Sequence, residues 1–185
     1  FKRDIEGILR HVEFSETDIH FFSATMPVDV KNFLEEKFRK KKLSVVEVGA
    51  VHMAQQRIQT FNLNVKPEEK LHALEAFIKK TAQGRGIVFV NQKNQVEEVN
   101  AFLAERLPKL KYRILHGDLP EKERIQSIRS FMQKKSHILV ASDVAARGMD
   151  IKDLDWVLNF GLPKSAIYYL HRCGRTGRAG REGKV

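Results

Sequence analysis

The chain has 185 residues, 42% of them hydrophobic, and a formal net charge of +10, a composition that supports a sizeable core and excludes a disordered protein. Its single cysteine, Cys173, excludes an internal disulfide and any cysteine-based zinc site, and no apolar run reaches the length of a membrane span. Residues 1–50 hold nine of the 33 Lys and Arg and nine of the 23 Asp and Glu, leaving 24 against 14 in residues 51–185. That asymmetry points to a polyanionic partner, nucleic acid or nucleotide ahead of a membrane, although a solubilising surface accounts for the charge alone equally well.

In chain order, residues 19–24 (IHFFSA) read as a buried strand, residues 28–38 have helical spacing, and residues 43–48 (LSVVEV) are a second strand candidate. Residues 49–57 show no clean period and are the expected linker. Residues 59–65 alternate, with Phe61, Leu63 and Val65 on one face, and Pro67 opens a helix carrying Leu71, Leu74, Ala76, Phe77 and Ile78. From there the pattern is regular: strand 86–90, helix 95–107, strand 112–116, helix 121–132 opened by Pro120, strands 137–142 and 155–160, and a short helix over 165–173. Strands separated by crossover helices make an α/β fold, a parallel sheet flanked by helices on both faces. Ligands of such sheets bind beyond the carboxyl ends of the strands, so function is expected in the loops after 90, 116, 142 and 160.

Several of those loops carry polar residues that a core does not need. His116, Gly117 and Asp118 follow one strand; Asp143, Arg147 and Asp150 follow another. Taken singly, Asp143 or Asp150 also reads as a cap or turn residue, and His116 as a hydrogen-bonded loop histidine. The short helix runs into HRCGRTGRAGREG, residues 171–183, with arginine at every third position and a glycine directly before each of the last three. A collagen repeat is excluded, since the stretch has no proline. A solvated basic tail and a phosphate-binding loop both remain; in the second, glycine admits the backbone closely and arginine supplies permanently charged planar forks.

Five segments in order, SAT at 23–25, IVFV at 87–90, LHGDLPEKER at 115–124, VASDVAARGMDI at 140–151 and HRCGRTGR at 171–178, resemble the later motifs of the DEAD-box RNA helicases of superfamily 2. The last is the most specific, matching HRxGRTGR at seven of eight positions. Glu121 replaces the family's usual glutamine, Ser142 keeps the hydroxyl of a common threonine, and Gln92 stands where threonine is frequent. The GxxxxGK[ST] phosphate loop and the DEAD tetrapeptide of the family's first lobe do not occur in this sequence. The resemblance implies that residues 1–48 end a first RecA-like lobe, residues 49–57 link, and residues 58–185 form a C-terminal RecA-like lobe with its last strand truncated.

The resemblance further implies an ATP-dependent RNA helicase, in which ATP and RNA occupy the cleft between two RecA-like lobes and hydrolysis is coupled to cleft closure. ATP and Mg²⁺ are expected to be held mainly by the first lobe, so this segment alone is expected to be nearly inactive and to supply no metal ligands. Arg175 and Arg178 are the implied arginine fingers, with His171 relaying contact to the acidic motif. Asp150, at the family's ribose position, would contact the nucleotide together with Arg175, Arg178 and Gly148. Gly117, Arg124, Ser142 and Gly148 are the implied RNA-backbone contacts. Ser23, Ala24, Thr25, Asp143 and Arg172 are implied in coupling the lobes, Arg172 by pairing with Asp143. The implied partners are RNA without sequence preference, ATP, the first lobe of the same chain and protein regulators, with no membrane. The expected location is a reducing compartment: cytoplasm, or nucleus or nucleolus in a eukaryote. Two alternatives stay open, a DNA-directed or DEAH-like motor and a lobe that docks RNA or protein without turning over ATP.

Overall fold

The computed structural model describes residues 2–13, 17–23, 26, 28–38, 44–46, 57–80, 82–146, 149, 151, 154–177 and 181–185. The chain divides into two compact units, Phe1–Val51 and His52–Val185. The first contains helices α1 (Lys2–Leu9) and α2 (Val28–Lys37). α2 starts with Asp29 in its first turn and ends with Lys37 in its last, complementing the helix dipole, and Lys37 pairs with Glu6 of α1 at 3.0 Å. Phe33 and Phe38 supply its buried apolar groups.

Two expectations fail in this unit. Residues 19–23 and 44–46, read as strand, form none, and Phe22, Val45 and Val46 are exposed. An apolar run becomes a strand only when a neighbouring strand takes its backbone N–H and C=O groups, and the described residues of this unit offer no such neighbour. The expected linker lies outside the described residues except for Arg57.

The second unit is built on β1 (Ile58–Gln59), α3 (Lys70–Lys80), β2 (Gly86–Val90), α4 (Lys93–Arg106), β3 (Tyr112–Leu115), α5 (Glu121–Met132), β4 (Ile138–Ser142), α6 (Asp143–Ala146), β5 (Trp156–Asn159), α7 (Ala166–Cys173) and β6 (Gly183–Lys184). The six strands form one sheet in the order β1-β6-β5-β2-β4-β3, and all pairings are parallel. β2 and β4 are buried along their whole length, as central strands covered on both faces must be. Alternate residues divide between two apolar clusters. Val88, Val90, Ile138, Val140, Trp156 and Phe160 pack against Leu74 and Ile78 of α3 and Val96, Val99 and Leu103 of α4. Ile87, Phe89, Leu139, Ala141 and Val157 pack against Phe131 of α5 and Ala146 of α6.

Local chemistry explains the element ends. Pro67 begins a short 3-10 turn that runs into α3, and Gln95 Oε1 accepts from the Asn91 and Gln92 backbone N–H groups at 3.1 and 3.2 Å at the start of α4. Buried Glu75 on α3 receives Lys79 at 2.6 Å and Arg106 of α4 at 3.4 Å, tying the two helices together. Of the alternating residues 59–65 only Gln59 belongs to β1, with one further rung, Phe61 N donating to Val185 O at 2.7 Å. Beyond it Phe61 and Leu63 are 66% and 76% exposed, because β1 has only β6 beside it and leaves that sheet edge uncovered among the described residues. Ala76 faces solvent and not the core.

Candidate functional site

The chain leaves β2 through α4 towards β3 on one side, and leaves β4 towards β5 on the other. Adjacent strands whose connections depart in opposite directions open a crevice beyond their carboxyl ends, the usual ligand position of an open parallel sheet. Asn91 follows β2, Asp143 follows β4, and Asn159 closes β5 with Gly161 just beyond it.

Into this crevice α7 directs Arg172. Its side chain is 1% exposed, an expensive position for a charge unless every donor is met. Nε and Nη2 donate to Asp143 Oδ1 and Oδ2, both at 2.7 Å. Nη2 also donates to Asn91 Oδ1 at 2.8 Å, and Nη1 donates to Asn159 Oδ1 at 3.0 Å and the Gly161 carbonyl at 2.9 Å. All five N–H donors of the guanidinium are engaged, and its carbon lies 5.2 Å from the centre of the Phe89 ring. One side chain thus fastens α7 to the ends of β2, β4 and β5.

The residues after α7 are held just as firmly. Arg175 N and Thr176 N donate to the Arg172 and Cys173 carbonyls, each at 3.1 Å. Thr176 Oγ1 donates to Leu154 O at 2.5 Å, and Gly177 takes φ +66°, a conformation that glycine adopts without strain. Arg175 is half-buried, with Nη1 donating to Met149 O at 2.6 Å. Phe89, Asp143, Ala146, Tyr168, His171, Arg172 and Arg175 line a recess there. Burial pushes the Cys173 thiol up from its ordinary value, so this cysteine is inert packing beside the site.

A second group of expected residues sits on neighbouring strand ends. Leu115 of β3 is in register with Ala141 of β4, so Ser142, the last residue of β4, and Gly117, two residues beyond β3, stand at the ends of adjacent strands. A Cβ added at Gly117 would meet nothing within 4 Å, whereas Ser142 is buried. Buried His116 hydrogen-bonds Glu97 at 2.7 Å, and Lys93 donates to Asp118 at 2.5 Å, a bond that holds the Asp118 carboxyl below its ordinary range. Arg124 is half-buried on the first turn of α5, and Glu121 opens that helix, exposed.

The structure therefore brings Asp143, Arg172, His171 and Arg175 together, and places Gly117 and Ser142 at the ends of adjoining strands. Ser23 belongs to the first unit, and Ala24, Thr25, Gly148, Asp150 and Arg178 lie outside the described residues. Asn91, Asn159, Gly161 and Met149 take part in the site without having been singled out from sequence. Three of them fall at or just after the strand ends marked as functional loops, the only signal that could have found them. Among the described residues no cluster of three or more His, Cys, Asp or Glu could hold a metal ion, and no helix is long and apolar enough to cross a membrane.

Residues 69–180 match the helicase conserved C-terminal domain family. Over 185 residues the chain is 40% identical to the DEAD-box ATP-dependent RNA helicase CshA of Geobacillus kaustophilus, covering 99% of this chain and 38% of that protein. It thus spans well under half the length of that relative. Among solved structures, S. cerevisiae Dbp5 bound to RNA and ADP BeF3 is 28% identical, with a TM-score of 0.77 over 96% of this chain and 46% of that one. E. coli SrmB, bound to regulator of ribonuclease activity A, is 39% identical with a TM-score of 0.57 over 63% of this chain and 68% of that one. The parallel sheet, the arginine-centred crevice at its carboxyl end and these likenesses agree: the chain belongs to the helicase conserved C-terminal domain family, and its relatives are DEAD-box RNA helicases.

Proposed function

We propose that the chain supplies the second-lobe half of an ATP-dependent RNA helicase: residues 1–48 close a first RecA-like lobe, 49–57 link, and 58–185 are the C-terminal lobe. The observation that carries this reading is Arg175, held half-buried beside a recess at the carboxyl end of the sheet, one turn beyond a fully engaged Arg172. A permanently charged fork fixed at that place suits a phosphate whose oxygens gain charge only when a facing lobe arrives.

ATP would meet this lobe as one wall of a site shared with the facing lobe. ATP, when bound, supplies the phosphoryl group whose transfer to water drives the cycle. Arg175, with Arg178 three residues on and Asp150, would hold the phosphates and ribose on this side, and His171 and Asp143 would couple that contact to the facing lobe. Mg²⁺ would be held mainly by the facing lobe, and no step here depends on it. Gly117, where an added Cβ would meet nothing within 4 Å, Arg124 and Ser142 would carry the RNA sugar-phosphate chain, which suits the charge excess of residues 51–185 and gives binding with little sequence preference. A protein regulator is a further expected partner, as regulator of ribonuclease activity A is for SrmB, and the cytoplasm is the proposed location.

The test is ATP turnover of the full-length protein containing this chain, measured without nucleic acid, with single-stranded RNA and with single-stranded DNA. Stimulation by RNA alone is expected. Equal stimulation by DNA would replace the proposal with a DNA-directed motor, and RNA binding without turnover would reduce the chain to a docking lobe.

A further inference from the structure

Asn91 makes three hydrogen bonds of fixed sense. Its Oδ1 accepts from Arg172 Nη2 at 2.8 Å, its Nδ2 donates to the Leu162 carbonyl at 2.9 Å, and its backbone N donates to Gln95 Oε1 at 3.1 Å. The amide has only one workable orientation, because Arg172 can only donate and a carbonyl can only accept. It lies on the loop after the central strand, so through it β2, the turn after β5 and α7 share a single bonded path. The packing leaves it little room: a Cβ added at Gly161 would stand 3.1 Å from Asn91 Nδ2.

Asp143 neutralises Arg172 and fixes the guanidinium within its own plane, but two parallel bonds alone still allow a hinge-like tilt out of that plane about the carboxylate edge. Asn91 and Asn159 grip the two terminal nitrogens from separate strand ends and remove that freedom. Arg175 follows one turn later, bonded back through its N–H to the Arg172 carbonyl at 3.1 Å. Loosening the bonds that tie Arg172 to the strand ends would therefore let this turn shift, and Arg175 with it.

We propose that Asn91 is a positioning residue for ATP turnover, acting through Arg172 to fix the place of Arg175. The inference rests on the role of Arg175 proposed above. It assigns a task to an uncharged residue that touches no reacting atom.

The experiment is a double-variant cycle on RNA-stimulated ATP turnover in the full-length protein, with rates normalised to folded protein: Asn91→Ala, Arg175→Ala and both together. A misplacement of about 1 Å costs up to about 100-fold, so Asn91→Ala is expected to lose about 10- to 100-fold in kcat. In the Arg175→Ala background it should cost nothing further, since there is no guanidinium left to place. Gly161→Ala, which crowds the Asn91 amide without removing a hydrogen-bonding group, should lower kcat by a smaller factor and be equally silent in that background. It serves as the second variant should Asn91→Ala fold poorly. Factors that multiply in the double variants would show a merely structural effect and overturn the inference alone. Unchanged kcat in both Asn91→Ala and Gly161→Ala would do the same. An Arg175→Ala protein as active as wild type would overturn the proposed function and this inference with it.

Discussion

Replacing Arg172 by methionine retains an unbranched apolar stem over Phe89 and deletes all five donors. Asp143, whose side chain is 22% exposed, loses both bonds of its ion pair, and Asn91 Oδ1, Asn159 Oδ1 and the Gly161 carbonyl lose their donors. Breaking one side of a buried pair costs about 3–5 kcal/mol. Each neutral acceptor left unmet would add about 1 kcal/mol if independent, but groups sharing one partner are not additive, and water reaches part of Asp143. The expected loss is therefore about 3–5 kcal/mol, a large share of the roughly 5–15 kcal/mol that holds a domain together. Urea denaturation followed by the fluorescence of Trp156, the single tryptophan and a buried one, reads this directly. With a slope of about 2 kcal/mol per molar urea, the midpoint should fall by roughly 1.5–2.5 M at unchanged slope. Asp143→Asn should then cost under about 1 kcal/mol in the Arg172→Met background, because the coupling has already gone. An Arg172→Met protein within about 1 kcal/mol of wild type would refute the reasoning, since unmet acceptors at that depth carry a larger penalty.

Two further outcomes follow from the packing and from the titrating groups. In Gly86→Ala the added methyl would stand 2.1 Å from the Trp156 ring, so the urea midpoint should fall by the equivalent of about 1–3 kcal/mol. Burial, first among the causes for each, raises Cys173 and Tyr169 above their ordinary values, so the folded state keeps these protons longer than the unfolded chain. Stability should then hold below the ordinary cysteine value of 9.0 and decline as pH rises through it towards the raised folded values. Cys173→Ala should flatten that alkaline decline in urea midpoints measured against pH, and an unchanged slope would contradict the assignment.

The parts of the fold legible in sequence are those where burial on both faces or a helical stop signal leaves few choices. The helix over 121–132 has the observed bounds of α5 because Pro120 opens it and the apolar periodicity stops at Met132. The runs at 86–90 and 137–142 have no polar face and could only be central strands. Alternation over 59–65 reports which side chains share a face but not whether a neighbour is present, and the pairing ends after Phe61. The same gap explains residues 19–23 and 44–46. Within the site, the arginines and Asp143 were visible because charge clustered at strand ends needs a reason. Asn91 was not, because an uncharged loop residue has no pattern of its own. Its role arises only when the fold brings Arg172, 81 residues away in sequence, to within 2.8 Å of its amide.

The central claim is that this lobe contributes a positioned arginine to the turnover of a nucleotide shared with another lobe. RNA-stimulated ATP turnover of the full-length protein with Arg175→Ala tests it most directly, beside a urea melt and an RNA-binding titration on the same sample. The account predicts a kcat lower by about 10³-fold or more, with the midpoint of unfolding and the affinity for RNA near those of wild type. Turnover within about tenfold of wild type, against the finger effect expected here, would contradict it and return the glycine–arginine loop to an RNA-binding or purely structural role.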